Sequence, residues 1–471
     1  MNIFKGRMDI FNAFPFARTE AERRQVPEGR MRGKGNMSIF KESKTARRYV
    51  LGYDLGEEVS QISFLASDSD LPETLSVLAG AEAYNIPTVL AKRKEVNQWF
   101  YGKEALAKIE ADEAVRVDSL IENAKMGKRV NIDGTGYDPV SLLTLFVKRT
   151  LSLLSMEMSM DMVDAIAFTT RNMDTRMIEV LSEVTGALSL PVKNVFYQSY
   201  EDSLYHYMLY QPDDLLSHAV IACDYSFGEM MVYDMKLNHR TKPVVVTIDK
   251  YSYDEMALSE GRLSDNANDR AEQVARLDNK FLEFSEKTME GRIVSSVFLL
   301  GEGFREQWMQ KSLEFLCRTR RVFQGNNLFS KGASIAAREK VGPSGRMEKY
   351  VLLDGGKLKS NVGMMVKKQG QQVYHALLDA GENWYDLSTG LDVILDDENA
   401  IDIMITPLTE GEKHIHRIDL EGLPERAPRT TRLRMKVVMS AADKVNIHVE
   451  DMGFGELFEN SGMFWDEVIP V

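Results

Sequence analysis

The sequence predicts a mixed α/β protein in which an internally duplicated α/β region is followed by a smaller β-rich domain. A strand ending in Asp, a glycine turn and a second strand occur at 49–65, and the same pattern returns at 219–234. Segments with helical periodicity alternate with buried strands around these two hairpins. Beyond residue 341, helical signals are few and alternating apolar and polar residues indicate strands.

The bulk composition is that of a soluble globular protein with several domains. The chain has 471 residues, more than one hydrophobic core normally serves, and it is 44% hydrophobic and 27% charged. Its net charge of −13 argues against non-specific binding to nucleic acid or anionic membranes. Two cysteines, Cys223 and Cys317, give no disulfide framework and fit a reducing compartment. Because it has no apolar run of 18 residues and no signal segment, we expect a cytoplasmic protein without a nucleic-acid or membrane partner.

Charge is distributed unevenly along the chain. Residues 1–48 carry twelve Lys or Arg against five Asp or Glu, and the remainder is acidic. A basic segment of this kind is able to contact nucleic acid or lipid. The favoured interpretation is a disordered leader, or translation that begins near Met37.

The elements between the two hairpins follow one another as in an α/β domain. Residues 49–56 predict a strand entering a tight turn, and 62–65 predict its partner. Pro139 opens a predicted helix that runs to 156, because proline is favoured in a first helical turn. The further predictions are a strand at 163–169, a helix at 177–184 that ends at Gly186, a strand at 192–197, a helix at 201–210, a charged helix at 267–290, a strand at 294–300 and a small-residue helix from Gly332.

The C-terminal part has its own pattern. Alternation at 372–378, 401–405, 431–438 and 444–450 predicts strands. The predicted domains are a basic, disordered leader at 1–48, a nucleotide-binding domain at 49–340, a linker at 341–354 and a β-rich domain at 355–471.

Common catalytic motifs are absent from the sequence. It contains no P-loop, HExxH, GxSxG or strand-linked GxGxxG. His414 and His416 are spaced to share one face of a strand, which permits a metal pair, but an exposed sheet face is the favoured interpretation.

The duplicated turns indicate a chemistry of their own. Two Asp-x-Gly turns that face one another hold a triphosphate well, because glycine lets backbone N–H groups approach phosphate oxygens. Two carboxylates, here Asp54 and Asp224, orient Mg²⁺ through its water shell. The alternative is that each turn is only an Asp-Gly hairpin.

The order of these motifs resembles the actin/DnaK ATPase superfamily, and within it the DnaK-type heat-shock chaperones. The resemblance covers about 49–337 and 350–455. The stretches that carry it are 52–56 and 224–228 for the two phosphate loops, 299–305 for the adenosine loop, 86–90 with 101–105, 123–125 around the family's catalytic lysine, 351–354 for the interdomain linker, and 361–364 with 420–426 in the peptide-binding domain.

The resemblance implies a two-lobed actin-like fold, which is a duplicated ribonuclease-H-like ATPase fold, followed by a mostly antiparallel β-sandwich. It implies ATP or ADP and Mg²⁺ as cofactors, Lys125 and Asp224 as catalytic residues, and Asp54 and Asp224 as metal-orienting residues. The implied nucleotide-binding residues are Asp54, Leu55, Gly56, Tyr225, Ser226, Gly228, Gly301, Glu302, Gly303 and Arg305. The implied interdomain linker is Val351, Leu352, Leu353 and Asp354. For Lys125, an exposed lysine in a charged segment is an equally good interpretation.

Several positions depart from the family pattern. Glu57 and Glu58 stand where the family has Thr-Thr, Ser226 replaces a glycine, and Glu229 replaces a threonine. Carboxylates donate no hydrogen bond and repel phosphate, at a cost of about 1 kcal/mol in water and several times more in a semi-buried cleft. The family's Asn-Glu-Pro-Thr helix start appears as residues 198–201, so its acidic residue is either missing or displaced by two positions.

Three functions follow from the resemblance and its departures. The first is a divergent DnaK-like chaperone-type protein that binds ATP or ADP in the interlobe cleft and an unfolded or specific protein or peptide client through the β domain. Hydrolysis is expected to be weak or absent, and the sequence leaves no room for a helical lid before Val471. The alternative is a scaffold that binds no nucleotide, and the least favoured is an actin-like filament former.

Overall fold

A computed structural model describes residues 8–10, 47–78, 81–258, 263–325, 327–396, 398–408 and 411–471. The predicted mixed α/β class is confirmed. The chain divides into two compact units, and the first comprises residues up to Asp234 together with Lys250–Ser344. The second comprises Met235–Asp249 and Gly345–Val471, so the division cuts two strands of one hairpin. The predicted domain boundaries at 340 and 354 therefore stay predictions.

The described part of the chain up to residue 344 contains seventeen strands and eight α-helices. The strands are β1 Met8–Ile10, β2 Tyr49–Leu55, β3 Val59–Ala66, β4 Glu73–Thr74, β5 Ile86–Pro87, β6 Leu90–Arg93, β7 Trp99–Tyr101, β8 Ala114–Val117, β9 Val130–Ile132, β10 Thr135–Tyr137, β11 Val163–Thr170, β12 Asn194–Ser199, β13 Ala219–Ser226, β14 Glu229–Asn238, β15 Val244–Ser252, β16 Val294–Leu300 and β17 Arg321–Gly325. The helices are α1 Gly102–Glu110, α2 Leu120–Met126, α3 Pro139–Leu151, α4 Thr175–Leu188, α5 Tyr200–Leu209, α6 Ala267–Met289, α7 Lys311–Cys317 and α8 Leu328–Val341. Short 3₁₀ helices cover Ser152–Met156, Met160–Met162, Asp213–Leu215, Asp254–Met256 and Glu302–Arg305.

Two sheets have the same strand order, and their strands belong to the first unit except for residues 235–249 of β14 and β15. One runs β12-β11-β2-β3-β4, and the other includes the run β17-β16-β13-β14-β15. In each sheet the first hairpin strand, β2 or β13, pairs in parallel with a later strand, β11 or β16. Each of those strands pairs in parallel with the next one. The duplication predicted from the two hairpins therefore extends to five strands in each copy.

The central strands are apolar because they are buried on both faces. All seven residues of β2 and all but the first residue of β3 are buried. Sheets covered on both sides read as nearly continuous apolar runs rather than as alternating ones. Helix α8 lies against β2 so closely that a Cβ on Gly52 would come within 2.0 Å of the Ser330 carbonyl oxygen.

Two predicted helix ends are wrong. The helix that opens at Pro139 is α-helical only to Leu151 and continues as a 3₁₀ turn. Helix α4 continues past Gly186 to Leu188, because the exposed Gly186 leaves open space around its backbone and does not force a turn.

Residues 139–156 are the one described stretch that is long and apolar enough to cross a membrane. Side chains in this stretch, such as Phe146 and Val147, are buried in the core of the unit.

The predicted leader lies mostly outside the described residues. Met8–Ile10, which the sequence assigned to that leader, form β1 and pair in parallel with β17. The described residues continue from Arg47, and Arg48 donates a hydrogen bond to the Asp164 carboxylate at 3.0 Å.

The second unit is built from β-strands, with no α-helix in its described residues. Besides residues 235–249 of the β14–β15 hairpin it contains β18 Tyr350–Leu352, β19 Ser360–Lys368, β20 Gln371–Leu378, β21 Ser388–Leu395, β22 Ala400–Pro407, β23 His414–Asp419, β24 Thr431–Ala441, β25 Lys444–Asp451 and β26 Phe464–Pro470, with 3₁₀ turns at Met347–Lys349 and Trp384–Asp386. Two antiparallel sheets, β20-β19-β22-β23 and β21-β24-β25-β26, share one apolar core.

The segment predicted as an interdomain linker begins in a strand and is mostly buried. Val351 and Leu352 belong to β18, which pairs in parallel with the 244–246 part of β15. Leu353 continues this pairing by donating its N–H to the Val246 carbonyl oxygen at 2.9 Å, and its side chain is buried. Asp354 is also buried and accepts a hydrogen bond from the Gly356 N–H at 2.8 Å.

Packing of α8 against α5 depends on a glycine. A Cβ on Gly332 would lie 1.9 Å from the Ser203 carbonyl oxygen, whereas a Cβ on Gly186 in α4 would meet nothing within 4 Å. We expect Gly332→Ala to lower the free energy of unfolding by about 1–3 kcal/mol through overpacking. The matched Gly186→Ala is expected to raise it by about 0.5–1 kcal/mol, because alanine has the higher helix propensity. Urea denaturation of both variants measures the difference, and equal effects would contradict this packing.

Candidate functional site

A cleft of about 350 Å³ lies within the first unit, where the two copies of the duplicated hairpin meet. It is lined by residues of both hairpins, of the loop after β16 and of the elements around them. We call all of these residues the cleft lining. It includes seven of the residues predicted from the sequence, which are Asp54, Gly56, Lys125, Asp224, Ser226, Gly301 and Glu302. The cleft therefore brings together residues that are up to 248 positions apart in the chain.

Asp54 stands at the end of β2 and is buried. Its Oδ1 accepts a hydrogen bond of 2.6 Å from the Tyr200 hydroxyl, and the Tyr200 ring stacks on Phe329 at 3.8 Å between centroids. The pKa of Asp54 is raised to about 7, chiefly by burial; the Tyr200 hydrogen bond opposes this rise, and the nearby Asp224 carboxylate adds to it. Asp54 is therefore partly protonated near neutral pH.

Asp224 occupies the equivalent place at the end of β13, but its charge is compensated. Arg171 forms an ion pair of 2.8 Å with its Oδ2, and the Ser226 hydroxyl donates to its Oδ1 at 2.6 Å. The Asp224 side chain is only 8% exposed. Both carboxylate oxygens are thus engaged by protein donors, and a fixed guanidinium supplies the positive charge of the cleft.

Sequence reasoning missed Arg171. It follows β11 directly, at the carboxyl end of a parallel strand beside β2, which is the edge of an α/β sheet where ligand sites form. Its position directly after a predicted strand could have identified Arg171 as a candidate site residue, but Arg171 belongs to no recognised sequence motif.

Lys125 lies on α2 and lines the cleft, but its ammonium group is paired elsewhere. It forms an ion pair of 2.6 Å with Asp174, the N-cap residue of α4, and Asp174 is not part of the cleft lining. The Arg176 side chain also donates to the Lys125 carbonyl oxygen at 2.9 Å. The catalytic role of Lys125 therefore stays a prediction. In the structure its ammonium group points toward Asp174 at the start of α4.

Glu57 and Glu58 both belong to the cleft lining. Desolvation raises the pKa of Glu57, the Glu122 carboxylate raises it further, and Lys125 opposes the rise. The departure of Glu57 and Glu58 from the family pattern therefore falls on the cleft lining itself.

The glycine loop after β16 packs directly on the second Asp turn. Gly301 has a φ of +89°, and a Cβ there would lie 2.4 Å from Ser226 Oγ and 2.8 Å from Asp224 Oδ1. Any side chain would displace the Asp224 turn, so glycine is required by close approach as well as by backbone conformation.

Other predicted residues do not face the cleft. Leu55 is completely buried, and Gly228 forms the β13–β14 turn without entering the cleft lining. Tyr225 is buried in the core, where its hydroxyl donates to the Met256 carbonyl oxygen at 3.0 Å. Gly303 packs on the Tyr225 ring. Arg305 lines a separate cavity of about 330 Å³ and pairs with Glu302 at 3.2 Å.

A chain of amide hydrogen bonds crosses the cleft, and it was not anticipated. Gln61 Nε2 donates to Asn85 Oδ1 at 2.6 Å, and Asn85 Nδ2 donates to a Glu302 oxygen at 2.5 Å. This chain ties the first hairpin to the glycine loop of the second copy.

The cleft offers no ready set of direct ligands for Mg²⁺. Each oxygen of Asp224 already accepts from a protein donor, and burial raises the pKa of the Asp54 carboxyl to about 7. Within the described parts of the chain, no three His, Cys, Asp or Glu side chains are grouped so that they could hold a metal ion. His414 and His416 on β23 are therefore not part of such a group, although His416 lies 3.8 Å from Glu467.

Comparison with known proteins finds two family models. One, described as Family of unknown function (DUF5716) C-terminal, matches residues 71–355. The other, described as Domain of unknown function (DUF8552), matches residues 357–471. No curated protein is similar enough to count as a match. The two matched regions meet just after Asp354, the last residue of the predicted linker.

The shifted pKa of Asp54 predicts a pH-dependent stability. The folded chain keeps this proton up to about pH 7, whereas the ordinary carboxyl pKa is 3.8. Between these values the folded state binds more protons than the unfolded state, so the free energy of unfolding falls as pH rises. Asp54→Asn removes this titration and keeps an oxygen for Tyr200. We expect the Tm of the variant relative to the parent to rise between about pH 5 and about pH 8; a difference independent of pH would contradict the assignment.

Proposed function

The chain belongs to the family of unknown function DUF5716, and from its cleft we infer a degenerate actin/DnaK-type domain that serves as a binding module and does not hydrolyse ATP. One observation carries this proposal. The two duplicated hairpins place Asp54 and Asp224 on one cleft, and Arg171 is fixed on Asp224 where an ATPase of this kind needs a hydrated metal ion. We regard the cleft as the remnant of a nucleotide site.

The two copies support the actin-like part of the proposal. They share a strand order, each has an Asp at the end of its first strand, and the glycine loop after β16 touches the second Asp turn. A duplicated ribonuclease-H-like fold has these features. The two-lobed actin-like architecture is therefore the finer fold that we propose for the first unit.

The charges support the loss of hydrolysis. Phosphoryl transfer is catalysed by positioning and by electrostatic stabilisation of the transferring phosphoryl group, with a metal ion bridging the phosphates. Here Glu57 and Glu58 add two carboxyl groups to the cleft lining, and Lys125 is paired with Asp174. Both changes act against a bound Mg-triphosphate.

The second unit is proposed to hold a protein or peptide partner, as the resemblance to the DnaK-type chaperones implies. Met365 on β19 and Val373 and Tyr374 on β20 are each 43% exposed, so this sheet offers apolar side chains near its edge. An extended segment added to such an edge would gain main-chain hydrogen bonds.

ATP or ADP binding without turnover is a second candidate, and the meeting of the three predicted loops on one cleft favours it. The two candidates differ in whether nucleotide stabilises the unmodified chain. A ligand at 100 times its Kd stabilises by about 2.7 kcal/mol, which raises Tm by a few degrees.

Thermal unfolding with Mg-ATP, Mg-ADP or no nucleotide tests the proposal. We expect no Tm shift for the parent at millimolar nucleotide and no phosphate release. The variant with Glu57→Thr and Glu58→Thr is expected to gain Mg-ATP affinity, because it replaces two repelling carboxylates with donors. A clear shift of the parent accompanied by ATP turnover would refute the proposed loss of hydrolysis, and a shift without turnover would favour the second candidate.

A further inference from the structure

The cleft is strongly acidic. Its described lining carries six carboxyl groups, Asp54, Glu57, Glu58, Asp224, Glu229 and Glu302, but only two basic side chains, Lys125 and Arg171. Each of the two bases is already ion-paired, Lys125 with Asp174 and Arg171 with Asp224. The cleft therefore keeps an excess of negative charge that a low-dielectric wall strengthens.

A buried amide oxygen points to a ligand independently of this charge. Gln61 lies on β3, lines the cleft and is only 3% exposed, and its Oε1 has no hydrogen-bond partner among the described residues. Buried polar atoms are normally paired, because an unmet acceptor costs about 1–3 kcal/mol. Of the unpaired buried atoms, the Gln61 oxygen belongs to a residue of the cleft lining, and a water or a ligand N–H in the cleft would supply its donor.

The orientation of that amide is fixed by its neighbours. The Glu302 carboxylate accepts from the Asn85 amide nitrogen, so the Asn85 oxygen faces Gln61. Gln61 must therefore donate to this oxygen through its own amide nitrogen, and the Gln61 oxygen is left unpaired. Turning the Gln61 amide over would place two oxygens in contact and break the chain.

An exposed aromatic ring lies beside these polar groups in the cleft lining. Phe227 belongs to the cleft lining, is 50% exposed and has a φ of +52° in the turn before Gly228. A bulky residue in the left-handed region is an outlier, and such strain concentrates at functional sites. The face of an exposed aromatic ring attracts an organic cation.

We propose that the cleft binds a small organic cation with N–H donors, of the polyamine or guanidine class. The carboxylates of the cleft lining balance its charge, one N–H donates to Gln61 Oε1, and the Phe227 ring covers a cationic group. The inference rests on the proposed function, because it assumes that a former nucleotide site now binds a cation in place of a triphosphate.

Calorimetric titration of the full chain with spermidine, and separately with agmatine, tests the proposal. We expect saturable binding of at least one of them. Glu57→Gln with Glu58→Gln should weaken it at least tenfold, and Gln61→Met several-fold, because each removes a ligand contact with little change of shape. The matched control is Glu104→Gln with Glu110→Gln on the exposed face of α1, which changes the net charge equally but lies outside the cleft lining. It should leave affinity within twofold.

The outcomes separate this inference from the proposed function. Absence of binding by both cations at millimolar concentration, or equal weakening in the cleft and control variants, overturns the inference and leaves a non-hydrolysing scaffold standing. Tight binding and turnover of Mg-ATP by the parent overturns the proposed function, and the cation site with it.

Discussion

The ion pair between Arg171 and Asp224 is the interaction on which the cleft depends. Asp224 is 8% exposed at the end of β13, where an isolated carboxylate would carry a large desolvation penalty. A guanidinium at 2.8 Å and the Ser226 hydroxyl at 2.6 Å remove that penalty. Because this compensation is covalently part of the chain, the site needs no metal ion to be stable. The neighbouring Asp54, with no such cation of its own, carries a pKa of about 7 instead.

The duplicated scaffold explains why these groups meet at all. Each copy ends its first strand in Asp beside a parallel strand, so the two acids and Arg171 reach one edge from both sheets. Glycines permit the close contacts between copies and helices, as Gly301 does against the Asp224 turn. The proposed family resemblance and the proposed cation site depend on this same scaffold. They differ only in which charges the turns present to the cleft, and in this chain those charges are mostly negative.

Features with a local signal could be predicted, and features set by tertiary contact could not. The hairpins, Asp54, Asp224 and Gly301 were found because strand, Asp and glycine follow one another in the sequence. Tyr225 was misplaced because adjacent residues of a strand face opposite sides, so the neighbour of a cleft residue enters the core. Arg171, Gln61 and Asn85 carry no motif, and their roles arise only from partners more than twenty positions away.

The most direct test of a built-in cation is metal rescue of Arg171→Gln. Loss of the guanidinium leaves the Asp224 charge buried, and we expect the free energy of unfolding to fall by about 3 kcal/mol. Millimolar Mg²⁺ should then raise the Tm of this variant and leave the parent unchanged. Arg318→Gln, which removes an exposed pair with Glu314, serves as the control and should change little. A parent stabilised by Mg²⁺ as much as the variant, or a variant as stable as the parent, would contradict the account.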